Sequence, residues 1–344
     1  MRRLGLLAYL SVLLLSLAAA YLTWTREPAK PGEKVPLLSC RKGDLVGLEF
    51  RSKSRTVLFS PERSSYSGKS FWWVDITTRP AGENQEGKAQ SGEPKIEVFK
   101  ADAKMDEALG RFCPWMILRD LGRIGDEKRQ EFGLADSADR LVLKFKAGER
   151  PFRLGTTLSG HPDRYLEDEQ SGEIYLVPGQ DIREIEHPKS RYMERGLHGF
   201  GQDQAIRIRL RAGEREKELV AKLSDEGKST GWADSSRPEE EKELYKNWIQ
   251  KYFALRVLEY LVPPEKAESM GCSGRLDADP VLTLTFYDRE KEIGFSTFYK
   301  PSGKDKDGDP QYSVCTDNTD CLVSLPKSQV EGLLQDLEEI LSDS

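Results

Sequence analysis

The sequence predicts an α+β fold of two tandem strand-rich repeats, each an antiparallel sheet with a packed helix, after an N-terminal transmembrane helix. An uncharged apolar run near the N-terminus predicts the transmembrane helix. The phrase "EFGLADSADRLVLKF" of residues 131–145 has a counterpart in "MGCSGRLDADPVLTLTF" of residues 270–286, and a helical stretch precedes each copy. Similar phrases in the same order along a chain indicate copies of one structural unit.

Residues 1–24 predict a membrane anchor. After Arg2 and Arg3 the chain carries no charge from Leu4 to Leu22, a run of 19 residues. As a helix this run would span roughly 28 Å, about one bilayer hydrocarbon core. The small residues of "SLAAA" leave a cleaved signal peptide open as the alternative. We expect a retained anchor because the run is long, with the N-terminus in the cytoplasm and the bulk of the chain in the periplasm.

The rest of the chain divides into a tether, two units and a linker. Residues 25–41 predict an extended tether, and "GLHGFGQ" at residues 196–202 predicts a linker between a first α+β unit at 42–195 and a second at 203–344. The protein has 32% charged residues and a net charge of −6. This balance argues against a nucleic-acid partner, because phosphate-backbone binding needs clustered Lys and Arg.

The elements of the two units are predicted in the same order. In the first unit, "DLVGLEFRSKSRTVLFS" predicts two strands, "SFWWVD" a third strand that contains Trp73, and "ADAKMDEALGRFCPWMILRDL" a helix that Pro114 should interrupt. In the second unit, "AIRIRLRAGEREKELVAKL", "STGWAD" with Trp232, and "PEEEKELYKNWIQKYFALRVLEYL" predict the same elements. Turns at Gly133 and Gly271 then lead into further strands.

The recurring residues are interpreted as structural, because copies of a framework preserve packing. Trp73 and Trp232 are expected to anchor each sheet to its helix. Gly133 and Gly271 are expected to supply a positive φ at the turn. The C-terminal stretch "PKSQVEGLLQDLEEILSDS" is amphipathic at helical spacing, and we expect it to close its own domain.

Five cysteines in an exported chain predict disulfide bonding. Cys315 and Cys321 flank the polar turn "TDNTD" between two apparent strands, so a bridge between them is predicted. The sequence leaves the pairing of Cys40, Cys113 and Cys272 open.

No motif of the sequence predicts catalysis, a cofactor or a metal ion. His161, His187 and His198, the three histidines, lack metal-binding spacing and are interpreted as surface or loop residues. "SGKS" at residues 67–70 lacks the first glycine of a phosphate-binding loop. We therefore predict a protein that is not an enzyme.

The chain resembles a bacterial domain-of-unknown-function family that has an N-terminal membrane anchor and duplicated α+β units. The resemblance rests on the anchor and tether, a strand pair ending in a Trp strand, a helix, "EFGL" followed by "RLVLKF", and "EIYLVP" leading into "GQDIREI". It covers about residues 42 to 342, although "ADSADR" lacks the proline that commonly follows "FGL" in the family. Members are commonly encoded beside gliding-type ABC-2 permeases and their GldG-like auxiliary subunits.

The resemblance implies an accessory or scaffold subunit of an envelope ABC transporter complex of the gliding or secretion type. Such a subunit would be a single-pass protein of the bacterial inner membrane, with the permease and the GldG-like subunit as partners and with no implied catalytic residue or cofactor. The alternative is a glycan- or peptidoglycan-binding envelope protein in which Trp72, Trp73 or Tyr165 stacks on sugar rings. An envelope hydrolase is a third interpretation.

Overall fold

The structure is a computed structural model. It describes Ser16 and residues 35–41, 43–80, 93–224, 229–261, 280–289, 291–304 and 310–343. The predicted transmembrane anchor, apart from Ser16, lies outside these residues, as does Gly271. Among the helices of the described residues, none is both long and apolar enough to cross a membrane.

The strands of the described residues form one small sheet and two large antiparallel sheets. The small sheet pairs β1 (Val35–Pro36) with β6 (Met116–Ile117). The first large sheet contains β2 (Leu45–Arg51), β3 (Arg55–Arg63), β4 (Ser70–Thr78), β5 (Lys95–Lys100), β7 (Arg119–Gly122), β8 (Arg140–Phe145), β9 (Gly148–Thr157), β10 (Arg164–Asp168) and β11 (Ile174–Val177). The second contains β12 (Arg207–Ala212), β13 (Arg215–Leu223), β14 (Ser229–Asp234), β15 (Glu259–Tyr260), β16 (Pro280–Asp288), β17 (Lys291–Lys304), β18 (Pro310–Thr316) and β19 (Leu322–Leu325).

The two large sheets share one strand order. The first runs β5-β4-β3-β2-β8-β9-β10-β11-β7, and the second runs β14-β13-β12-β16-β17-β18-β19-β15. Each strand of the second sheet thus has a counterpart in the first, where β5 is an additional edge strand. The predicted α+β class with two antiparallel sheets is confirmed. The shared order also agrees with the internal similarity of the sequence.

The helices lie between or after these strands. They are α1 (Lys104–Gly110), α2 (Asp126–Glu131), α3 (Gly179–Glu186), α4 (Lys189–Tyr192), α5 (Glu243–Phe253) and α6 (Lys327–Ser342). The stretch predicted as a helix through Pro114 is helical only as far as Gly110, and the chain beyond it forms β6 and β7. Its counterpart α5 ends at Phe253, before β15.

The longer helices bury apolar faces against the second sheet and each other. Their buried side chains, at the helical spacing of three and four residues, are Tyr245, Trp248, Ile249 and Tyr252 on α5, and Val330, Leu333, Leu337 and Ile340 on α6. Trp248 Nε1 also donates to Leu333 O at 2.9 Å. The C-terminal helix therefore packs within its own unit, as the sequence predicts.

Residues at the end of the predicted tether are fastened to the first unit. Val35 pairs with Ile117, and Leu37 N donates to Trp115 O at 2.7 Å. Cys40 forms a disulfide with Cys113, 73 residues further along the chain. Because backbone pairing and a covalent bond both hold this segment, residues 35–41 are part of the folded body and not of an extended tether.

The predicted Cys315–Cys321 bridge is wrong. Cys315 is disulfide-bonded, whereas Cys321 is a buried thiol. In the pairing of β18 with β19, Cys315 lies opposite Leu322. Side chains alternate between the two faces of a strand, so Cys321, the neighbour of Leu322, points to the face opposite that of Cys315. Cys272 lies outside the described residues.

Gly133 has the positive φ that the sequence predicts. Its φ is +66°, and a Cβ at this position would lie 2.5 Å from Thr156 Cγ2 of β9. Leu134 N then donates to Arg129 O at 2.8 Å, which closes the turn after α2. Both the backbone conformation and the close approach of β9 favour glycine here.

Candidate functional site: the junction of the two units

The chain segment that joins the units also joins their sheets. A backbone bridge pairs Met193 with Ala101, the residue after β5, and Glu194 N donates to Lys100 O at 2.9 Å. Arg195 O in turn accepts a hydrogen bond from Val257 N at 3.0 Å, just before β15. Met193–Arg195 thus connects edge strand β5 of the first sheet to the β15 end of the second through backbone hydrogen bonds.

Trp73 lies at this junction. Its side chain is buried, and its ring makes T-shaped contacts with Tyr260 of β15 and with Phe71, at centroid distances of 5.8 and 6.3 Å. Its neighbour Trp72 contacts α1, because Trp72 Nε1 donates to Asp106 Oδ1 at 2.9 Å. One of these two ring contacts, that with Tyr260, therefore joins the first unit to the second, while the contact with Phe71 lies within β4. The role of holding the sheet to its helix stays a prediction.

Trp232 occupies the corresponding strand of the second unit. It is 1% exposed on β14, the strand against which α5 packs. Its backbone oxygen accepts from Lys242 N at 3.0 Å, one residue before α5 begins. Among the described residues, no hydrogen-bond partner is found for its buried Nε1. This environment is that of a core residue.

A buried ion pair between two side chains, one from each unit, also joins the units. Lys100 Nζ lies 2.9 Å from Asp320 Oδ2, and the two side chains are 10% and 2% exposed. Ser64 Oγ and Ser65 N donate to Asp320 Oδ1 at 2.7 and 3.0 Å, and Lys100 also donates to Asn318 O at 2.6 Å. Buried charges are tolerated when paired and hydrogen-bonded, so these contacts together define one relative placement of the units.

The turn between β18 and β19 presents Asp320. Its φ of +56° is a conformation that Asp adopts more readily than most residues. The same turn holds the linker, because Thr316 Oγ1 donates to Leu197 O at 2.6 Å and Asn318 Nδ2 donates to Gly196 O at 3.1 Å. One turn of the second unit therefore contacts both the first unit and the chain between the units.

His198, in the linker, is the centre of a buried hydrogen-bond chain. Its Nδ1 lies 2.8 Å from Asp317 Oδ1, and its Nε2 contacts the hydroxyl of Tyr252, which lies 2.5 Å from Ser296 Oγ. Asp317 Oδ1 also accepts from Phe295 N at 3.1 Å. Burial raises the pKa of the Tyr252 hydroxyl well above its usual value, so this group keeps its proton and can serve as a hydrogen-bond donor.

The hydrogen-bond chain around His198 contains the residue types of a Ser-His-Asp triad, but it lacks an accessible nucleophile. Ser296 Oγ is 3.3 Å from His198 Nε2, yet Ser296 is fully buried and Tyr252 bonds the same nitrogen. A catalytic serine must reach its substrate. We therefore assign these bonds to holding the linker against α5 and β17. The side chain of His198 is 2% exposed, so of the two predicted alternatives, surface or loop, His198 is a loop residue, with a buried side chain.

The described residues line several clefts, two of them near the connecting segment or the linker. One of about 180 Å³ lies beside Trp72 and is lined by both units and the connecting segment. A second, of about 350 Å³, lies beside His198 and Phe253. A larger cleft of about 580 Å³ lies away from the junction, between Cys40 and the turn from β8 to β9. The cleft beside Trp72 combines an indole ring with carboxylates and an amide, groups that commonly bind polar ligands.

Sequence patterns did not single out Lys100 or Asp320, the residues that define the junction. The two lie 220 positions apart and belong to no common motif. The polar turn "TDNTD" that contains Asp320 was interpreted from the sequence only as the turn between Cys315 and Cys321. All five of its side chains carry a hydroxyl, a carboxylate or an amide, and this density of hydrogen-bonding groups was the available signal.

The described residues contain no group of three or more His, Cys, Asp or Glu side chains arranged to hold a metal ion. Comparison of the chain with protein-family models, curated proteins and solved structures found no significant match.

Proposed function

We propose that this protein is a membrane-anchored, non-enzymatic accessory or scaffold subunit that acts on the periplasmic side of the bacterial inner membrane through protein–protein contacts. Its proposed setting is an envelope ABC transporter complex of the gliding or secretion type. The observation that carries the scaffold role is the fastened junction, in which the connecting segment and the Lys100–Asp320 pair hold both units in one arrangement.

A fixed junction suits a scaffold for an energetic reason. Ordering flexible parts on binding costs free energy, so a surface that spans two already fastened units binds a partner with less loss. An N-terminal anchor would add to this by confining the protein and its partners to one membrane, which raises their effective concentration. Weak contacts between ectodomains can then be sufficient to hold the complex together.

The disulfides support the proposed compartment. Cys40 is bonded to Cys113, and Cys315 is also disulfide-bonded. Disulfides persist mainly outside the reducing cytoplasm, in compartments such as the periplasm. The partners, an ABC permease and a GldG-like subunit, are proposed from the sequence resemblance.

Cross-linking of the full-length chain in its native membrane tests this function. The tagged protein is extracted in mild detergent and its partners are identified by mass spectrometry. We expect to recover the permease and the auxiliary subunit. We also expect Asp320→Asn, which removes the buried ion pair of the junction, to reduce recovery more than Arg215→Ala, which removes an exposed ion pair within the second unit. Recovery of the protein alone, from extracts in which the permease remains intact, would contradict the proposal.

One observation favours the alternative of glycan binding. Of the three aromatic residues predicted to stack on sugars, Trp73 is buried, and Tyr165 already stacks on Phe132 at a centroid distance of 3.9 Å and an interplanar angle of 2°. Trp72 alone of these three is partly exposed beside a cleft. The alternative is therefore confined to the junction.

A further inference from the structure

We propose that the cleft beside Trp72 binds one neutral sugar ring of an envelope glycan. The junction cleft is defined by Lys69, Trp72, Asp102, Asp106, Glu194 and Asn318. This proposal deepens the alternative function above and does not depend on a transporter complex.

Trp72 supplies an apolar surface that is already fixed in place. Its backbone is held in β4, where its oxygen accepts from Ala101 N at 2.8 Å, and its indole Nε1 is bonded to Asp106. The ring is half-buried, so part of it remains open to the cleft. A rigid aromatic side chain loses little conformational entropy on binding, and its face suits the C–H groups of a pyranose ring.

Oriented polar groups surround this ring. Asp102 Oδ1 accepts from Lys104 N at 3.0 Å, and Glu194 Oε1 accepts from Gly196 N at 2.7 Å. Each bond fixes the direction of a carboxylate whose other lone pairs can accept hydrogen bonds from ligand hydroxyls. Hydroxyl donation to a carboxylate is among the stronger hydrogen bonds in proteins. A polyhydroxylated ligand fits this set of acceptors better than an apolar one.

The charge of the cleft favours a neutral ligand over an acidic one. Asp102, Asp106 and Glu194 contribute three carboxylates, whereas Lys100, which also lines the cleft, is neutralised by its bond to Asp320. Lys69 is then the remaining cation among the described lining residues. A phosphate or uronic acid would meet net negative charge, which disfavours its binding.

The size and position of the cleft determine how much of a glycan it can contact. The cleft has a volume of about 180 Å³, and the proposal places one ring of an oligosaccharide in it. Trp72 comes from the first unit, Glu194 from the connecting segment and Asn318 from the second unit. A ligand that contacts all three binds the fastened state, so it should also raise the unfolding temperature.

Titration of the full-length protein in detergent with soluble trisaccharides tests this site. The probes are the neutral chitotriose, cellotriose and maltotriose, with trigalacturonate as the anionic comparison. We expect at least one neutral probe to bind with a Kd below about 1 mM and to raise the unfolding temperature. We expect trigalacturonate to bind at least tenfold more weakly.

Variants locate the binding and separate it from loss of folding. Trp72→Ala should weaken the Kd of the best neutral probe at least tenfold, whereas Trp72→Phe should stay within about threefold because it keeps an aromatic face. Tyr165→Ala, which removes an aromatic ring outside the cleft, is the matched control and should leave the Kd unchanged. If Trp72→Ala fails to fold, the Asp102→Asn, Glu194→Gln double variant tests the site instead. We expect it to weaken the Kd of the best neutral probe by the same factor of at least ten.

Three outcomes would overturn the proposal: no neutral probe binding at millimolar concentration, tighter binding of trigalacturonate, or an unchanged Kd in a folded cleft variant. None of them affects recovery of the permease by cross-linking. Failure of the sugar site and failure of the scaffold function are therefore distinguishable.

Discussion

Lys100 of the first unit and Asp320 of the second form an ion pair across 220 positions of sequence, with 2.9 Å between Nζ and Oδ2. Asp320→Asn should lower the free energy of unfolding by about 3–5 kcal/mol, because it leaves the lysine charge buried and unpaired. Asn also tolerates the positive φ at this position, so the change acts mainly on charge. Urea denaturation of the full-length protein measures the loss.

Arg215→Ala is the control for the junction pair. Arg215 bonds Glu338 at 2.8 Å, but both side chains are about half exposed or more, at 49% and 66%. Exposed ion pairs contribute about 0–1 kcal/mol, so this variant should differ little from the wild type. If Asp320→Asn and Arg215→Ala lower the free energy of unfolding equally, the Lys100–Asp320 pair contributes no more to stability than an exposed ion pair does.

The Cys40–Cys113 bridge closes a loop across a sequence separation of 73 residues. Replacement of both cysteines by serine should cost about 4 kcal/mol, since the bridge restricts the unfolded chain and longer loops gain more. Urea denaturation of the double variant measures this cost, with Ser39→Ala at an exposed neighbouring position as the control. Stability unchanged to within about 0.5 kcal/mol would show that the bridge does not constrain the unfolded chain.

The sequence predicted the features that depend on local pattern. Alternating apolar residues and repeated phrases predicted two antiparallel sheets, and a lone glycine after α2 predicted the positive φ of Gly133. The strand order that the two sheets share came from the structure. Strand register is less local, and so the pairing of Cys315 with Cys321 was wrong: a shift of one residue moves a side chain to the other face of a sheet.

The junction could not be predicted for a different reason. The packing of Trp73 against Tyr260 and the bond of Lys100 to Asp320 depend on how the two sheets meet. Periodicity shows that a side chain is buried, but it does not show which distant element buries it. His198 illustrates the same point, because its neighbours Asp317 and Tyr252 come from a turn and a helix far away in sequence.

Gly133 and Gly122 allow backbone strain to be separated from steric contact. Their φ values are +66° and +64°, but a Cβ at Gly133 would lie 2.5 Å from Thr156 Cγ2, whereas a Cβ at Gly122 would meet nothing within 4 Å. Each Gly→Ala change should cost about 1–2 kcal/mol for the left-handed backbone. Gly133→Ala should cost a further ~1–3 kcal/mol for overpacking, measured by urea denaturation. Equal losses would show that Thr156 moves aside freely.

Asp75, on β4 beside the junction, should make stability depend on pH. Burial, the largest cause, and the nearby charge of Glu62 raise the pKa of its carboxyl to about 6, although a hydrogen bond from Trp73 partly offsets them. The ordinary value in an unfolded chain is about 3.9. Between these two values the folded state binds more protons than the unfolded state, so stability falls as pH rises from about 4 to about 6.

Asp75→Asn tests this dependence because it removes the titration while keeping a similar shape. Above pH 6 the variant should be more stable than the wild type by about 1–2 kcal/mol, a value reduced for the partial solvent exposure of the group. Near pH 4 both carboxyl and amide are neutral, so the difference should shrink towards zero. Urea denaturation at pH 4, 5, 6 and 7 measures it, with Glu239→Gln at an exposed position as the control. A constant difference across this range would show that Asp75 does not titrate with a raised pKa, since only a titrating group gives a stability change confined to the window between its two pKa values.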